Sequence, residues 1–292
     1  MQHIVSVNPV RIAVARAAIQ EAPINGARTI VMKNQGRNRP NSTYKTRSSR
    51  DSEGDNTGWV WGRHAVLAAL ANPRREVKRL LLTLNAQREV PDGTEFEDMK
   101  PDAISAHLPD GAVHQGFAMR ATAPAPESVK AVADPTHGML VVLDSVTDPH
   151  NVGAVFRSAA AFGARAIILQ DRKAPPLFGA VAKASTGATE TVRHVRVTNI
   201  ADTLIELKEA GRFVIGLDGE APTTLPEAIA GHGGPGLVIV MGAEDKGLRP
   251  RVAANCDLLV SIPTTGNIES LNISTAAAIA LYAAYAARPA RD

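Results

Sequence analysis

Gly138-Met139-Leu140-Val141-Val142-Leu143-Asp144-Ser145-Val146-Thr147-Asp148-Pro149-His150-Asn151-Val152-Gly153-Ala154-Val155-Phe156-Arg157 is the stretch that decides the fold. Met139–Val146 reads as an apolar strand. A polar loop follows, and a helix is expected over Asn151–Phe162, with Val152, Val155, Phe156 and Ala159 as its inward stripe. The pattern then repeats. Ala166–Leu169, Arg193–Val197, Phe213–Leu217, Leu237–Met241 and Leu258–Ile262 read as strands, Ile200–Ala210 and Leu271–Ala287 as helices. Strands that are apolar throughout and alternate with helices mean a parallel sheet covered on both faces. Residues 138–292 are therefore expected to form one α/β domain.

Working upstream, residues 123–137 hold Pro124, Pro126 and Pro135 and read as an extended, semi-rigid linker. Before it, 59–122 has the makings of a small α/β domain. Trp59–Gly62 is a short strand, His64–Ala71 a helix stopped by Asn72-Pro73, and Val77–Leu84 a second strand. Asp92-Gly93 and Asp110-Gly111 mark turns.

Residues 1–58 differ in kind. From Lys33 to Arg50 there are six basic residues and no acidic one. Such a stretch has too little apolar surface to order itself. It is either a solvated tail or an electrostatic arm for phosphates. Arg11, Arg16 and Arg28 face only Glu21 as an acid across residues 1–31. That fits a mitochondrial transit peptide, or an upstream extension with Met32 as the true start.

The net charge is only +3, hydrophobic residues make up 45% and aromatics 4%, so the core must be aliphatic. The single cysteine, Cys256, excludes an internal disulfide framework. A reducing, cytoplasmic setting follows, with a mitochondrial one if residues 1–31 are a transit peptide. No apolar run approaches the roughly eighteen residues of a membrane span. The histidines are scattered without ligand spacing, so no metal is expected. Gly231-His232-Gly233-Gly234-Pro235-Gly236 spells a dinucleotide-binding pattern. It precedes a strand rather than a helix, and reads as a flexible turn.

Three segments carry chemistry. In the first, Arg157 has only Gly153, Ala154, Ala160 and Ala161 three and four residues away. That leaves space for a phosphate or a ribose, although an ordinary surface arginine looks the same. The second is Leu237-Val238-Ile239-Val240-Met241-Gly242-Ala243-Glu244-Asp245-Lys246-Gly247-Leu248. A buried strand runs into a glycine-bounded loop at its carboxyl end, where open parallel sheets bind ligands. Glu244 puts a carboxylate there. The third is Ser261-Ile262-Pro263-Thr264-Thr265-Gly266-Asn267-Ile268-Glu269-Ser270-Leu271-Asn272-Ile273-Ser274. Ser270 and Asn272 stand at a helix start, where capping is their default role. The helix beyond presents Ala276, Ala277, Ala280, Ala284 and Ala287 on one face, which permits close packing within the chain or against a partner.

Together the three segments resemble the SpoU/TrmH group of the SPOUT RNA 2′-O-ribose methyltransferases over Gly138–Ala287. Gly62-Arg63-His64-Ala65-Val66 and His114-Gln115-Gly116-Phe117 resemble the RNA-binding domain that precedes it in ribosomal RNA members. The resemblance implies a C-terminal trefoil knot, an exception to unknotted topology. It implies S-adenosyl-L-methionine bound at Gly242, Gly247, Ile262 and Leu271. It places Asn151, Arg157, Glu244, Ser270 and Asn272 in the active site, and Arg63 and His64 at RNA. It further implies a homodimer acting on ribosomal RNA, at a guanosine ribose. Two segments depart from the family pattern: Thr264-Thr265, and Ser185-Thr186-Gly187-Ala188-Thr189-Glu190. A transfer RNA substrate, or a catalytically silent RNA-binding or ribosome-assembly protein, stays open as an alternative. Arg157, the family's proposed base, is a poor proton acceptor, because a guanidinium essentially never deprotonates. An electrostatic role at the phosphate and the developing alkoxide suits it better.

Overall fold

The computed structural model describes residues 56–266 and 270–288. The basic run and residues 1–31 lie outside them. Strand β1 (Thr57–Trp61) begins two residues before the predicted strand. It is followed by α1 (Arg63–Ala71), β2 (Val77–Leu82), β3 (Glu97–Asp98), α2 (Pro101–Ser105) and β4 (Phe117–Thr122). The sheet order is β1-β4-β2-β3. β4 is central and pairs antiparallel with both β1 and β2.

The proline-bearing segment after β4 is not simply extended. It forms the one-turn helix α3 (Val129–Val132), capped by Ser128. Glu127 bridges to Val195, its N–H donating to the His194 carbonyl. The buried guanidinium of Arg212 donates to five carbonyls, those of Val132, Ala133, Asp134, Gly138 and Pro235. Burial pushes the pKa of this side chain down to about 10.

The larger domain runs β5 (Leu140–Leu143), α4 (Pro149–Ala161), β6 (Ala166–Gln170), α5 (Gly179–Ser185), α6 (Ala188–Thr191) and β7 (Arg193–Val197). It continues with α7 (Ile200–Glu209), β8 (Phe213–Leu217), α8 (Leu225–His232), β9 (Leu237–Met241), α9 (Pro250–Ala253), β10 (Leu258–Val260) and α10 (Ile273–Ala286). Every strand pair is parallel, in the order β10-β8-β9-β5-β6-β7. The α/β fold with a parallel sheet and a small preceding domain is therefore as the sequence implies. β5 and β9 are buried at every residue because helices cover both faces. One layer holds Val155, Phe156, Ile239 and Ala280; the other holds Leu140, Val142, Leu204 and Val240.

Two expectations need correction. Gly231 and His232 are not in a turn but in the end of α8, whose start carries a Thr224–Glu227 capping box. The alanine face of α10 does not await a partner. Ala277, Ala280 and Ala284 are buried in the chain's own core. The face left outside carries Ile279, Tyr282 and Tyr285.

Candidate active site

The carboxyl ends of β5, β9 and β10 bring the three segments together. Asp148 caps α4 by accepting from the His150 N–H at 3.0 Å, and Pro149 fills the first helical position. One turn on, Asn151 points inward and is buried. Its Nδ2 donates to Glu244 Oε1 at 3.0 Å. Asn272 Nδ2 donates to the same oxygen at 2.6 Å and to Asn151 Oδ1 at 3.1 Å. The Ile273 N–H also donates to Glu244 Oε1, at 3.3 Å. Residues 93 and 121 positions from Asn151 thus form one closed triangle. Asn272 also does the capping work, its Oδ1 accepting from the Ser274 N–H at 2.8 Å. The helix starts at Ile273, so Ser270 is not a cap.

Arg157 and Ser270 are not drawn into this network. Both are exposed, and among the described residues the side chain of neither makes a hydrogen bond or ion pair. Arg157 is therefore free to meet an incoming anion with its whole fork. Asn151 is engaged by Glu244 and Asn272, not by Arg157. The space expected around Arg157 is smaller on one side. A Cβ on Gly153 would stand 2.6 Å from both Ala184 Cβ and the Val181 carbonyl, so this glycine serves the packing of α4 on α5.

Sequence reasoning missed the tie that holds the second segment. Asp144, directly after β5, is fully buried. Its carboxylate accepts from the Arg249 N–H at 3.0 Å and from Arg249 Nε at 2.7 Å. The signal was legible: an acid set immediately after a run of buried aliphatics needs a partner. The Gly242–Arg249 loop is thereby clamped at its far end, and the Gly247 N–H closes it on the Ala243 carbonyl at 2.8 Å. A Cβ on Gly242 would run into the Gly247 backbone. Gly247 itself has φ 60°, a conformation glycine adopts without cost.

Ile262 and Leu271 are half-buried, as is Leu217 at the end of β8. Beside the charged Glu244, Asp245 and Lys246, these loops offer aliphatic side chains and backbone amides. That lining fits a neutral purine nucleoside, which binds by apolar contact and a few placed polar groups. Among the described residues no cluster of His, Cys, Asp or Glu is placed to hold a metal. No helix among them is long and apolar enough to cross a membrane. Cys256, packed under β8, has its thiol pushed up to about 12 by burial, which leaves it unreactive. In the small domain, Arg63 and His64 open α1 and are exposed. Arg63 pairs with Glu89.

Comparison with known proteins shows the family. The SpoU rRNA Methylase family model matches residues 138–282. The model for RNA 2′-O ribose methyltransferase substrate binding matches residues 59–127. The chain is 38% identical to the 23S rRNA (guanosine-2′-O-)-methyltransferase RlmB of Vibrio cholerae, over 79% of this chain and 97% of that protein. It is 39% identical to the protein of the same name from Escherichia coli K12, over 77% of this chain and 96% of that one. The SpoU methyltransferase AviRb of Streptomyces viridochromogenes, solved in complex with AdoMet, superposes with a TM-score of 0.67. It is 24% identical, over 79% of this chain and 90% of that one, a likeness of fold. On these matches, which span both domains, the chain belongs to the SpoU rRNA methylase family.

Proposed function

We propose that this protein transfers a methyl group from S-adenosyl-L-methionine to a ribose 2′-hydroxyl of 23S ribosomal RNA, at a guanosine. The observation that carries this reading is the triangle of Asn151, Glu244 and Asn272, with the unpaired side chain of Arg157 six residues further along the same helix. When bound, S-adenosyl-L-methionine supplies an electrophilic methyl group on a sulfonium, so the protein's share is alignment and charge.

In this reading the loops at Gly242, Gly247, Ile262 and Leu271 hold the nucleoside through backbone and aliphatic contact. The amide–carboxylate triangle fixes the three loops relative to one another. Arg157 receives the phosphate next to the target ribose and stabilises charge on the hydroxyl oxygen as its proton leaves. Ser270 offers a hydroxyl on the third segment. Arg63 and His64 meet RNA from the small domain. The hydrogen bonds from Ser261 to Thr223 and from Leu225 to Ser261 lay the chain after β10 along the β8–α8 loop. They support the implied knot, whose loops would frame the nucleoside. The exposed Ile279, Tyr282 and Tyr285 support a homodimer formed through α10. A cytoplasmic setting follows from the substrate of the bacterial relatives.

The test is transfer of radiolabelled methyl to 23S ribosomal RNA from cells lacking the gene, with the product mapped for 2′-O-methylation. A single labelled guanosine is expected. Labelling of a base, or of transfer RNA alone, would overturn the assignment.

A further inference from the structure

The segment Ser185–Glu190 lies where the two domains meet. The small domain does not complete its own core. The cluster built from Val60, Val66, Leu80, Phe117 and Met119 also takes in Ala182 of α5, which is 1% exposed, with Phe178 packed against it. Glycines let the two domains approach closely there. A Cβ on Gly58 in β1 would stand 2.5 Å from the Phe178 ring. A Cβ on Gly187 would stand 2.5 Å from Ala68 Cβ and 3.3 Å from the His64 carbonyl. Gly187 also has φ 94°, so no other residue suits it.

A buried charge pair lies across this contact, close enough for charge attraction though outside hydrogen-bond geometry. Arg75 Nε lies 3.2 Å from Glu190 Oε2, with the two side chains 0% and 3% exposed. Asn72 Nδ2 donates to the same carboxylate oxygen at 2.9 Å, and Arg75 donates to the Thr122 carbonyl. Such a pair adds little net stability against apolar residues, but either partner alone would be a stranded charge. It therefore favours one docked geometry. Lys183 of α5 adds a bond to Gln115 at 2.7 Å. On its other side α5 packs against α4, the helix that carries Asn151 and Arg157, at Gly153.

We infer that the small domain is docked on α5 and α6 as one rigid body with the catalytic domain, and that Arg75 and Glu190 are positioning residues that fix the distance from the RNA-binding surface at Arg63 and His64 to Arg157. The inference rests on the methyltransferase reading above. The target ribose is then selected by a built-in offset along the RNA, in addition to whatever its own base contributes.

The experiment uses the full chain with Cys256→Ser, and spin labels on Asp110→Cys and Glu209→Cys, exposed sites in the two domains. Labelled chain is diluted into excess unlabelled chain, so that only distances within one molecule are read. The native interface should give one narrow distance. Glu190→Gln strands Arg75, and Gly58→Val drives a strand-compatible wedge against Phe178 without straining β1. Each should broaden the distance and lower kcat/KM on 23S ribosomal RNA roughly ten- to hundredfold, because misplacement is costly to an aligned reaction. Affinity for S-adenosylmethionine, read by calorimetry, should not change. If Glu190→Gln fails to fold, Gly58→Val carries the test. A broad distance in the native interface, full-rate methylation by the variants, or loss of rate without broadening would overturn the inference. A narrow distance in a chain that methylates no RNA would support the docking and overturn the methyltransferase reading instead.

Discussion

Asp144 and Arg249 lie 105 positions apart in the chain, yet one fully buried carboxylate accepts from both the backbone and the guanidinium of a half-exposed arginine. The asymmetry of burial sets an asymmetry of cost. Arg249→Ala removes the buried carboxylate's charged partner and leaves it only the backbone N–H and the Ser145 hydroxyl, and should destabilise the protein by about 3 kcal/mol or more. Asp144→Ala leaves an arginine that can turn to water and should cost about 1–3 kcal/mol. Urea midpoints of the two variants read the order directly. Equal costs would mean that the carboxylate finds another partner.

Arg157→Ala should abolish methyl transfer and leave cofactor affinity within error of wild type, since Arg157 is exposed and bonded to nothing in the loops. Arg157→Lys separates the two roles. Lysine keeps the charge but loses the planar fork, and it can release a proton near its own pKa of about 10.4. An electrostatic clamp predicts poor single-turnover rates at every pH. Rates that climb to wild type as pH rises would establish a proton acceptor instead.

Asn272 both caps α10 and joins the triangle, and a single substitution can divide these tasks. In Asn272→Asp the side chain still accepts from Ser274, so the cap worth about 1 kcal/mol is kept. The amide that faced Glu244 becomes a second carboxylate. Methyl transfer should be lost while the melting temperature falls less than in Asn272→Ala, and activity should partly return at lower pH. Activity retained in Asn272→Asp at neutral pH would reduce the residue to a cap.

His194 is buried beneath the segment joining the domains, and its pKa is lowered to about 4 by burial and by the nearby Arg196, Arg74 and Arg75. The unfolded chain titrates near 6.5. Between these values the unfolded state binds more protons. The neutral-imidazole contribution is thus complete above about pH 6.5 and is lost as pH falls towards 4. The shift corresponds to about 3 kcal/mol. Chemical denaturation at about pH 4.5 and about pH 7 should show His194→Leu with a clearly smaller pH dependence than wild type. Equal slopes would place the acid sensitivity elsewhere.

The outward face of α10 predicts the state of assembly. On the proposed homodimer through α10, Tyr282→Lys should shift sedimentation from dimer to monomer, with the core intact because Tyr282 is 58% exposed. Ala280, wholly buried, cannot serve this purpose, since enlarging it would overpack the chain's own core. A Tyr282→Lys variant that sediments as wild type would remove α10 from the interface.

The large sheet was legible because its strands are buried on both faces. Phe213–Leu217 and Leu237–Met241 fall where the apolar runs fall. β4 was not legible: Phe117–Thr122 carries Arg120 in mid-strand and ends against a proline-bearing stretch. α5 escaped as well, since Phe178 stands at its cap position without a capping side chain and its residues are mostly small. The residues of the triangle could be named from motif spacing. That Asn151 serves Glu244 rather than Arg157 depends on helix phase and on a contact across 93 positions. Arg75 and Glu190 gave no signal, because nothing local marks either as buried.

The bridge between Glu127 and Val195 has a consequence for the sheet. β7 is an end strand, and an open edge is a template on which another molecule can polymerise. Here the chain lays part of itself along that edge, donating from Glu127 to His194. Pro124 and Pro126 lie just upstream and have no N–H with which to extend a ladder. The connection between the domains is thus also a guard against aggregation, and weakening it would cost solubility before it cost the fold.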